Sequence, residues 1–98
     1  MFLPQNTKLY VSTEPADFRK SYDGLAGLVR NSLELNPTDT NLYVFFNKRR
    51  DQVKILYYQR GGMCLWGKRL EAGRFAQIGT RNQGHVVLSM TELMMLLD

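Results

Sequence analysis

The feature that most constrains the fold is a pair of strand-like runs that meet at two adjacent glycines. Alternating residues of β-branched, aromatic and cationic type flank Gly61 and Gly62, which is typical of a β-hairpin. If these glycines form a two-residue turn, Lys54 lies directly opposite Arg69. A four-residue loop over 59–62 shifts the pairs by two residues but leaves every side chain on the same face. The face of each residue therefore does not depend on the register.

Alternation along the hairpin separates two faces of different chemistry. One face carries Val53, Ile55, Tyr57, Cys64, Trp66, Lys68 and Leu70, and the other carries Lys54, Leu56, Tyr58, Arg60, Leu65, Gly67 and Arg69. We expect the face with Trp66 to point into the core. We expect the face with Tyr58 to place cations beside an exposed ring, which suits phosphates and an unpaired base. The alternative is that the Lys and Arg stems only cover apolar sheet surface while their heads stay solvated.

The segments on either side of the hairpin predict further strands. Strand patterns occur at 8–12, 42–46 and 85–88, with one possible short strand at 74–77. The run 42–46 is almost continuously apolar, which suggests a strand that is covered on both faces.

A long helix is predicted between the first two strands. It begins near Ser12 and carries an apolar stripe from Phe18 to Leu33 at helical spacing. Gly24 and Gly27 are unfavourable inside a helix, so close packing against another backbone is the expected reason for them.

A second, short helix is predicted at the C-terminus. Ser89 and Glu92 have the spacing of a capping box, and apolar residues follow. The chain is thus expected to form one small α+β domain over residues 1–98, with its core at about 8–97. We expect a mainly antiparallel sheet, one long N-terminal helix and a short C-terminal helix.

Positive charge is concentrated in one segment of the chain. Residues 48–81 hold nine Lys or Arg and two acids, while the remainder holds four basic and seven acidic residues, for a net charge of +4. A segment of this kind is expected to meet an anionic partner, and a nucleic-acid backbone is the leading candidate.

Composition narrows the class of protein further. A single cysteine excludes an internal disulfide within the chain and suits a reducing compartment. The N-terminal residues lack the pattern of a signal peptide, and no apolar run approaches the roughly 20 residues that span a bilayer. We therefore expect a cytoplasmic protein that has no membrane partner. Its oligomeric state is left open.

Catalytic patterns are weak in this sequence, so no enzyme activity is predicted. Asp17 and Asp23 fall in the predicted helix and Asp51 in a turn, and nothing in their spacing brings them together around metal ions. His85 has no neighbouring Cys or second His, so no metal site or cofactor is expected. A small basic ribonuclease, which works through cations and a single base, remains the enzymatic alternative.

Several strings resemble one family along most of the chain. They are Asp17-Phe18-Arg19-Lys20 with Asp23-Gly24-Leu25, the runs 43–51 and 54–58, and the run 64–75, which contains Lys68-Arg69-Leu70-Glu71-Ala72-Gly73-Arg74-Phe75. Over residues 8–97 the sequence resembles the small accessory protein, called TnpB or Orf2-like, of insertion sequences of the IS-sixty-six type. That family is distinct from the RNA-guided nuclease that shares the TnpB name. The resemblance implies an accessory role in DNA transposition beside a separate transposase.

Together, charge and resemblance predict two kinds of site. The nucleic-acid-binding candidates, for DNA at the ends of the element, are Arg19, Lys20, Lys48, Arg49, Arg50, Lys54, Tyr58, Arg60, Lys68, Arg69 and Arg74. The candidates for docking the transposase are Leu93, Met94, Met95, Leu96 and Leu97, because methionine-rich apolar surfaces adapt to partners. The choice between DNA and RNA is left open.

Overall fold

The computed structural model describes residues 7–78 and 84–97, which form a five-stranded sheet with one helix on each face. In chain order the elements are β1 (Leu9–Ser12), α1 (Tyr22–Asn31), β2 (Leu42–Phe46), β3 (Gln52–Gln59), β4 (Gly62–Arg69), β5 (His85–Leu88) and α2 (Met90–Leu97). The strands are ordered β4-β3-β2-β1-β5 across the sheet. β1 runs parallel to β2, and the other neighbours are antiparallel, so the sheet is mixed.

The central strand is the apolar run that the sequence singled out. All five residues of β2 are buried, which confirms a strand covered on both faces. Tyr43 and Phe45 point towards α1, whereas Val44 and Phe46 point towards α2. The two faces of β2 therefore divide the core into two apolar clusters.

Each cluster is completed by different elements. The α1 side contains Ala16, Leu25, Ala26, Val29, Leu33, Tyr43, Phe45 and Leu56. The α2 side contains Leu9, Val11, Leu42, Val44, Phe46, Val53, Ile55, Phe75, Leu88 and Leu93. Phe75 belongs to segment 70–78, which is not a strand, so the possible strand at 74–77 was wrong. Its ring packs 5.5 Å from that of Phe46.

The prediction of a long N-terminal helix was wrong, because α1 has only ten residues. The backbone before Tyr22 makes other hydrogen bonds that a helix could not keep. The amide of Ala16 donates to the carbonyl of Phe46 at 2.9 Å, which ties this segment to the end of β2. The carboxylate of Asp17 accepts the amide of Arg19 at 3.0 Å and closes a local turn. Phe18 therefore lies in the segment before the helix and packs against the α1-side cluster from there.

The interpretation of the two helix glycines was also wrong. A Cβ atom on Gly27 would meet nothing within 4 Å, so no close packing requires this glycine. A Cβ on Gly24 would come 2.8 Å from the Cβ of Lys20, which is a side chain and not another backbone.

The hairpin exists, but its turn lies one residue earlier than the adjacent glycines suggest. Arg60 and Gly61 occupy the turn with φ angles of 52° and 79°, and Gln59 pairs with Gly62. Positive φ at both positions is typical of a type I′ turn, whose twist matches the flanking strands. The pairs follow the register expected for the loop over 59–62.

The observed register changes one pairing and preserves the faces. Lys54 faces Gly67, as the loop over 59–62 predicts, and not Arg69, as a two-residue turn at Gly61-Gly62 predicts. Ile55 pairs with Trp66, as the face sorting predicted. Val53 and Ile55 are buried in the α2-side cluster, so this face points into the core on β3 as expected, but the Trp66 ring on β4 is exposed.

The predicted capping box is present at the start of α2. The hydroxyl of Ser89 accepts the amide of Glu92 at 3.1 Å, and the Glu92 carboxylate accepts the amide of Ser89 at 3.0 Å. The Ser89 amide, which donates to the ionised carboxylate, is the main reason why the pKa of Glu92 lies below its ordinary value. Neither α1 nor α2 is long enough to cross a bilayer, and the described part of the chain contains no other α-helix.

Candidate nucleic-acid interface

Exposed cations gather at one end of the sheet, where β2 and β4 end and β3 begins. We call this surface the cationic end and define it by Lys48, Arg49, Lys68, Arg69 and Arg74, all of which are exposed. The cations of the β2–β3 turn therefore lie close to the cations at the end of β4 and in the segment after it. This grouping is a consequence of the β3–β4 pairing, which brings Arg69 beside Gln52.

The turn that carries Lys48 and Arg49 is held by side-chain hydrogen bonds. Asn47 accepts the amide of Gln52 at 3.0 Å through Oδ1 and donates through Nδ2 to the Asp51 carboxylate at 2.6 Å. The second bond is the main reason why the pKa of Asp51 lies below its ordinary value. A turn built in this way projects its two cations from a fixed base.

Acidic residues offset only part of the charge at this end. Arg49 Nε lies 3.9 Å from the Asp51 carboxylate, and the Arg49 side chain is 83% exposed. An exposed pair of this length contributes little and leaves the cation available. Arg49, Asp51, Glu71 and Arg74 surround an open depression of about 260 Å³.

A second depression follows the outer strand of the hairpin. It has a volume of about 320 Å³ and is lined by Gln52, Val53, Lys54, Gly67, Lys68 and Arg69. Because Gly67 has no side chain, the space between Lys54 and Arg69 stays open. A Cβ at Gly67 would meet the Val53 carbonyl at 3.6 Å, an ordinary contact, so packing does not demand the glycine.

Arg50 is a structural residue, although the sequence grouped it with its neighbours. Its guanidinium donates to the carbonyls of Phe75, at 3.1 Å, and of Ala76, and lies 4.3 Å from the centre of the Phe46 ring. The carbonyl of Arg50 also accepts the amide of Phe75 at 2.7 Å. Partial burial lowers the pKa of Arg50. Arg50 thus anchors segment 70–78 on the sheet.

Lys54 has a comparable internal role on the opposite face. Its Nζ donates to the carbonyls of Phe18 at 3.0 Å and Lys20 at 3.1 Å, and lies 4.9 Å from the centre of the Phe18 ring. These bonds fasten the segment before α1 to β3. They also place Lys20, which is exposed, beside the strand.

Lys68 and Arg19 each have one intramolecular partner and remain exposed. Lys68 Nζ donates to the carbonyl of Leu97 at 2.9 Å, at the negative end of the α2 dipole. Arg19 pairs with Asp17 at 2.6 Å. Its hydrogen bonds lower the pKa of Asp17 to about 2, and those bonds raise the pKa of Arg19. Asp17 therefore offsets the charge of Arg19 locally.

Tyr58 and Arg60 lie away from the cationic end. Tyr58 pairs with Met63, one pair from the Arg60-Gly61 turn. Six residues separate Tyr58 from Gln52 along β3, which corresponds to about 20 Å at roughly 3.3 Å per residue. The structure does not bring these two candidates together with the other exposed cations.

Trp66 is the exposed aromatic residue that the sequence reasoning assigned to the core. It is 37% exposed on β4, one of the two edge strands of the described sheet. Edge position depends on the order of all strands, and nothing within the hairpin sequence reveals it.

The predicted docking residues of α2 divide into two sets. Leu93 is buried in the α2-side cluster, and Leu96 and Leu97 pack partly against it, so these three form core contacts. Met94 and Met95 are 59% and 73% exposed. Of these five residues, only the two methionines are exposed.

Residues considered for catalysis or metal binding do not converge in the part of the chain that is described. No three His, Cys, Asp or Glu side chains within residues 7–78 and 84–97 are placed to hold a metal ion. His85 packs edge-on to Tyr10, with ring centres 5.2 Å apart.

Comparison with known proteins gives relatives along nearly the whole chain. A family model described as IS66 Orf2 like protein matches residues 7–98. The chain is similar to the uncharacterized protein y4hO of Sinorhizobium fredii, with 34% identity over 94 residues, which cover 96% of this chain and 81% of that protein. It is also similar to the uncharacterized protein y4jC of the same organism, with 38% identity over 68 residues, which cover 69% of this chain and 58% of that protein. No solved structure matches significantly.

Proposed function

Because the chain belongs to the IS66 Orf2-like family of insertion-sequence accessory proteins, we propose that it assists transposition by binding nucleic-acid phosphates at the cationic end. The observation that carries this proposal is the gathering of exposed cations from two separated stretches of sequence. Lys48 and Arg49 come from the β2–β3 turn, whereas Arg69 ends β4 and Arg74 lies in the segment after it. Binding is the whole of the proposed role, and the family is not a known class of enzyme.

The arrangement suits a polyanion better than a small anion. The two depressions at this end are open, and Arg49, Arg69 and Arg74, which line them, are exposed. Phosphates spaced along a strand can contact several such cations at once, which fixes the register of the ligand without reading its sequence. Each phosphate that is neutralised releases counterions, so affinity must fall steeply with salt.

The test is a salt titration with a charge-matched control. Arg49→Ala/Arg69→Ala removes two cations of the cationic end. Lys8→Ala/Arg30→Ala removes two exposed cations on other elements, before β1 and in the last turn of α1. Affinity for element-end DNA and for random DNA is measured by fluorescence anisotropy at several salt concentrations.

We expect the first pair to weaken binding at least tenfold and the second to have a much smaller effect. The salt slope of the wild type should be about 3–4, and it should fall by about 2 in Arg49→Ala/Arg69→Ala, at about 0.9 per phosphate. Equal losses in both double variants would show that net charge alone drives binding, which contradicts the proposed site.

A second candidate function is docking of the transposase through α2. The observation in its favour is the exposure of Met94 and Met95, which lie next to Leu93 on a helix whose other side is in the core. The two functions use different surfaces and are compatible with each other.

A further inference from the structure

We infer that Trp66 stacks on an unpaired base, so that the ligand of the cationic end is single-stranded or locally unpaired nucleic acid. This inference rests on the proposed function and specifies its substrate class. Trp66 lies beside the cationic end but is not one of the residues that define it.

Trp66 is far more exposed than the rings of the central strand. Tyr43, Phe45 and Phe46 on the central strand are at most 1% exposed, whereas Trp66 is 37% exposed. Trp66 pairs with Ile55 on its inner side, and within residues 7–78 and 84–97 no strand pairs with β4 on its outer side. The ring is therefore held by the sheet and accessible from solvent, which is the arrangement of a stacking platform.

Cations follow Trp66 directly along the chain. Lys68 lies on the same face two residues later, about 7 Å further along the strand. Segment 70–78, which carries Arg74, packs on that same face through Phe75. A chain whose base rests on Trp66 can thus place its next phosphates against Lys68 and Arg74.

Trp66 is better placed than Tyr58 for this role. Tyr58 is 36% exposed, so accessibility alone does not separate the two rings. Tyr58 projects from the opposite face, beside Met63 at the turn. Only Trp66 combines an exposed ring with the cationic end.

Stacking on a flat exposed ring selects the form of the nucleic acid. Bases inside a duplex already stack on their neighbours, and their faces are not available to a side chain. Unpaired bases present a free face whatever their identity, so binding should be tolerant of sequence.

The first experiment uses the full chain and its single tryptophan, which is Trp66. Intrinsic fluorescence is titrated with a single-stranded oligonucleotide, with a duplex of the same length, and with poly-glutamate as a non-nucleic polyanion. We expect the single strand to bind most tightly and to quench the emission. Quenching by the duplex or by poly-glutamate to the same degree at similar affinity would overturn the inference.

The second experiment separates stacking from packing. Trp66→Leu keeps an apolar side chain but removes the ring, and Trp66→Phe keeps a ring. Anisotropy should show a loss of roughly 5- to 150-fold in single-strand affinity for Trp66→Leu, from about 1–3 kcal/mol per stacked base. Trp66→Phe should stay within about threefold of the wild type. Thermal unfolding of both variants verifies that they fold.

The matched aromatic control is Tyr58→Leu, which should leave both affinity and quenching unchanged. If Tyr58→Leu lost the affinity and Trp66→Leu kept it, the stacking site would lie at the turn and the inference would be wrong. Equal affinity for duplex and single strand, with a loss in Arg49→Ala/Arg69→Ala, would overturn the inference but leave the proposed function. Absence of binding to either form would overturn both.

Discussion

Two adjacent arginines that look alike in the sequence have opposite roles in the structure. Arg49 is exposed, whereas Arg50 donates to two carbonyls of segment 70–78 and covers the Phe46 ring. We predict that Arg50→Ala lowers the free energy of unfolding by about 2 kcal/mol, because it removes two charge-assisted hydrogen bonds, of which the one to the Phe75 carbonyl is partly buried. Urea denaturation measures this change.

Arg49→Ala is the matched control for that prediction, since it removes the same charge from the next position. It should change stability by no more than about 0.5 kcal/mol, as is usual for exposed sites. Similar losses in the two variants would contradict the structural role of Arg50. The distinction could not be read from sequence, because the partners of Arg50 lie 25 and 26 residues away.

At the scale of the element, α2 is a helix with one side in the core and one side free. We predict that Met94→Ser/Met95→Ser abolishes co-purification with the transposase while the fold is kept, because both side chains are exposed. Leu93→Ser should instead destabilise the fold, since Leu93 is 3% exposed. Pull-down with the element's transposase and a parallel thermal unfolding curve distinguish the two effects. Retention of the transposase by the double methionine variant would exclude this face as the docking site.

Elements that depend on residues close together in the sequence were predictable, and elements that depend on contacts with residues far away in the sequence were not. The run 42–46 and the strand 85–88 were predicted at their observed bounds, and the Ser89–Glu92 capping box was confirmed. The helix was predicted to begin near Ser12, but α1 begins at Tyr22. The residues before Tyr22 stay outside the helix because Lys54 of β3 donates hydrogen bonds to the carbonyls of Phe18 and Lys20.

The candidate site shows the same division. Its cations could be identified as a charged segment, but their sorting into exposed and internally bonded residues required the tertiary contacts of Arg50 and Lys54. The exposure of Trp66 followed from the position of β4 at the sheet edge, and strand order is a property of the whole molecule.

At the scale of the whole molecule, three carboxylates make the free energy of unfolding depend on pH. The pKa values of Asp17, Asp51 and Glu92 all lie below their ordinary range, chiefly because the side chains of Arg19 and Asn47 and the backbone amide of Ser89, respectively, donate hydrogen bonds to them. In the unfolded chain such groups titrate near about 4, so below that pH the unfolded state binds more protons. Their contribution to stability is therefore complete above about pH 5 and is lost as the pH falls towards 2.

We accordingly predict a urea midpoint that is nearly constant from pH 7 to pH 5 and decreases between pH 5 and pH 3. In Asp17→Asn/Asp51→Asn/Glu92→Gln the midpoint at pH 7 should be lower and its decrease in acid should be shallower, because the three groups no longer titrate. A triple variant that loses stability as steeply as the wild type would show that other groups control the acid transition.

Asp51 links this behaviour to the cationic end, since it lies between Arg49 and Arg69 and lowers the repulsion there while it is ionised. Acid thus removes a stabilising carboxylate at the same surface that we propose for nucleic acid, so an anionic ligand should protect the fold most where that carboxylate is protonated.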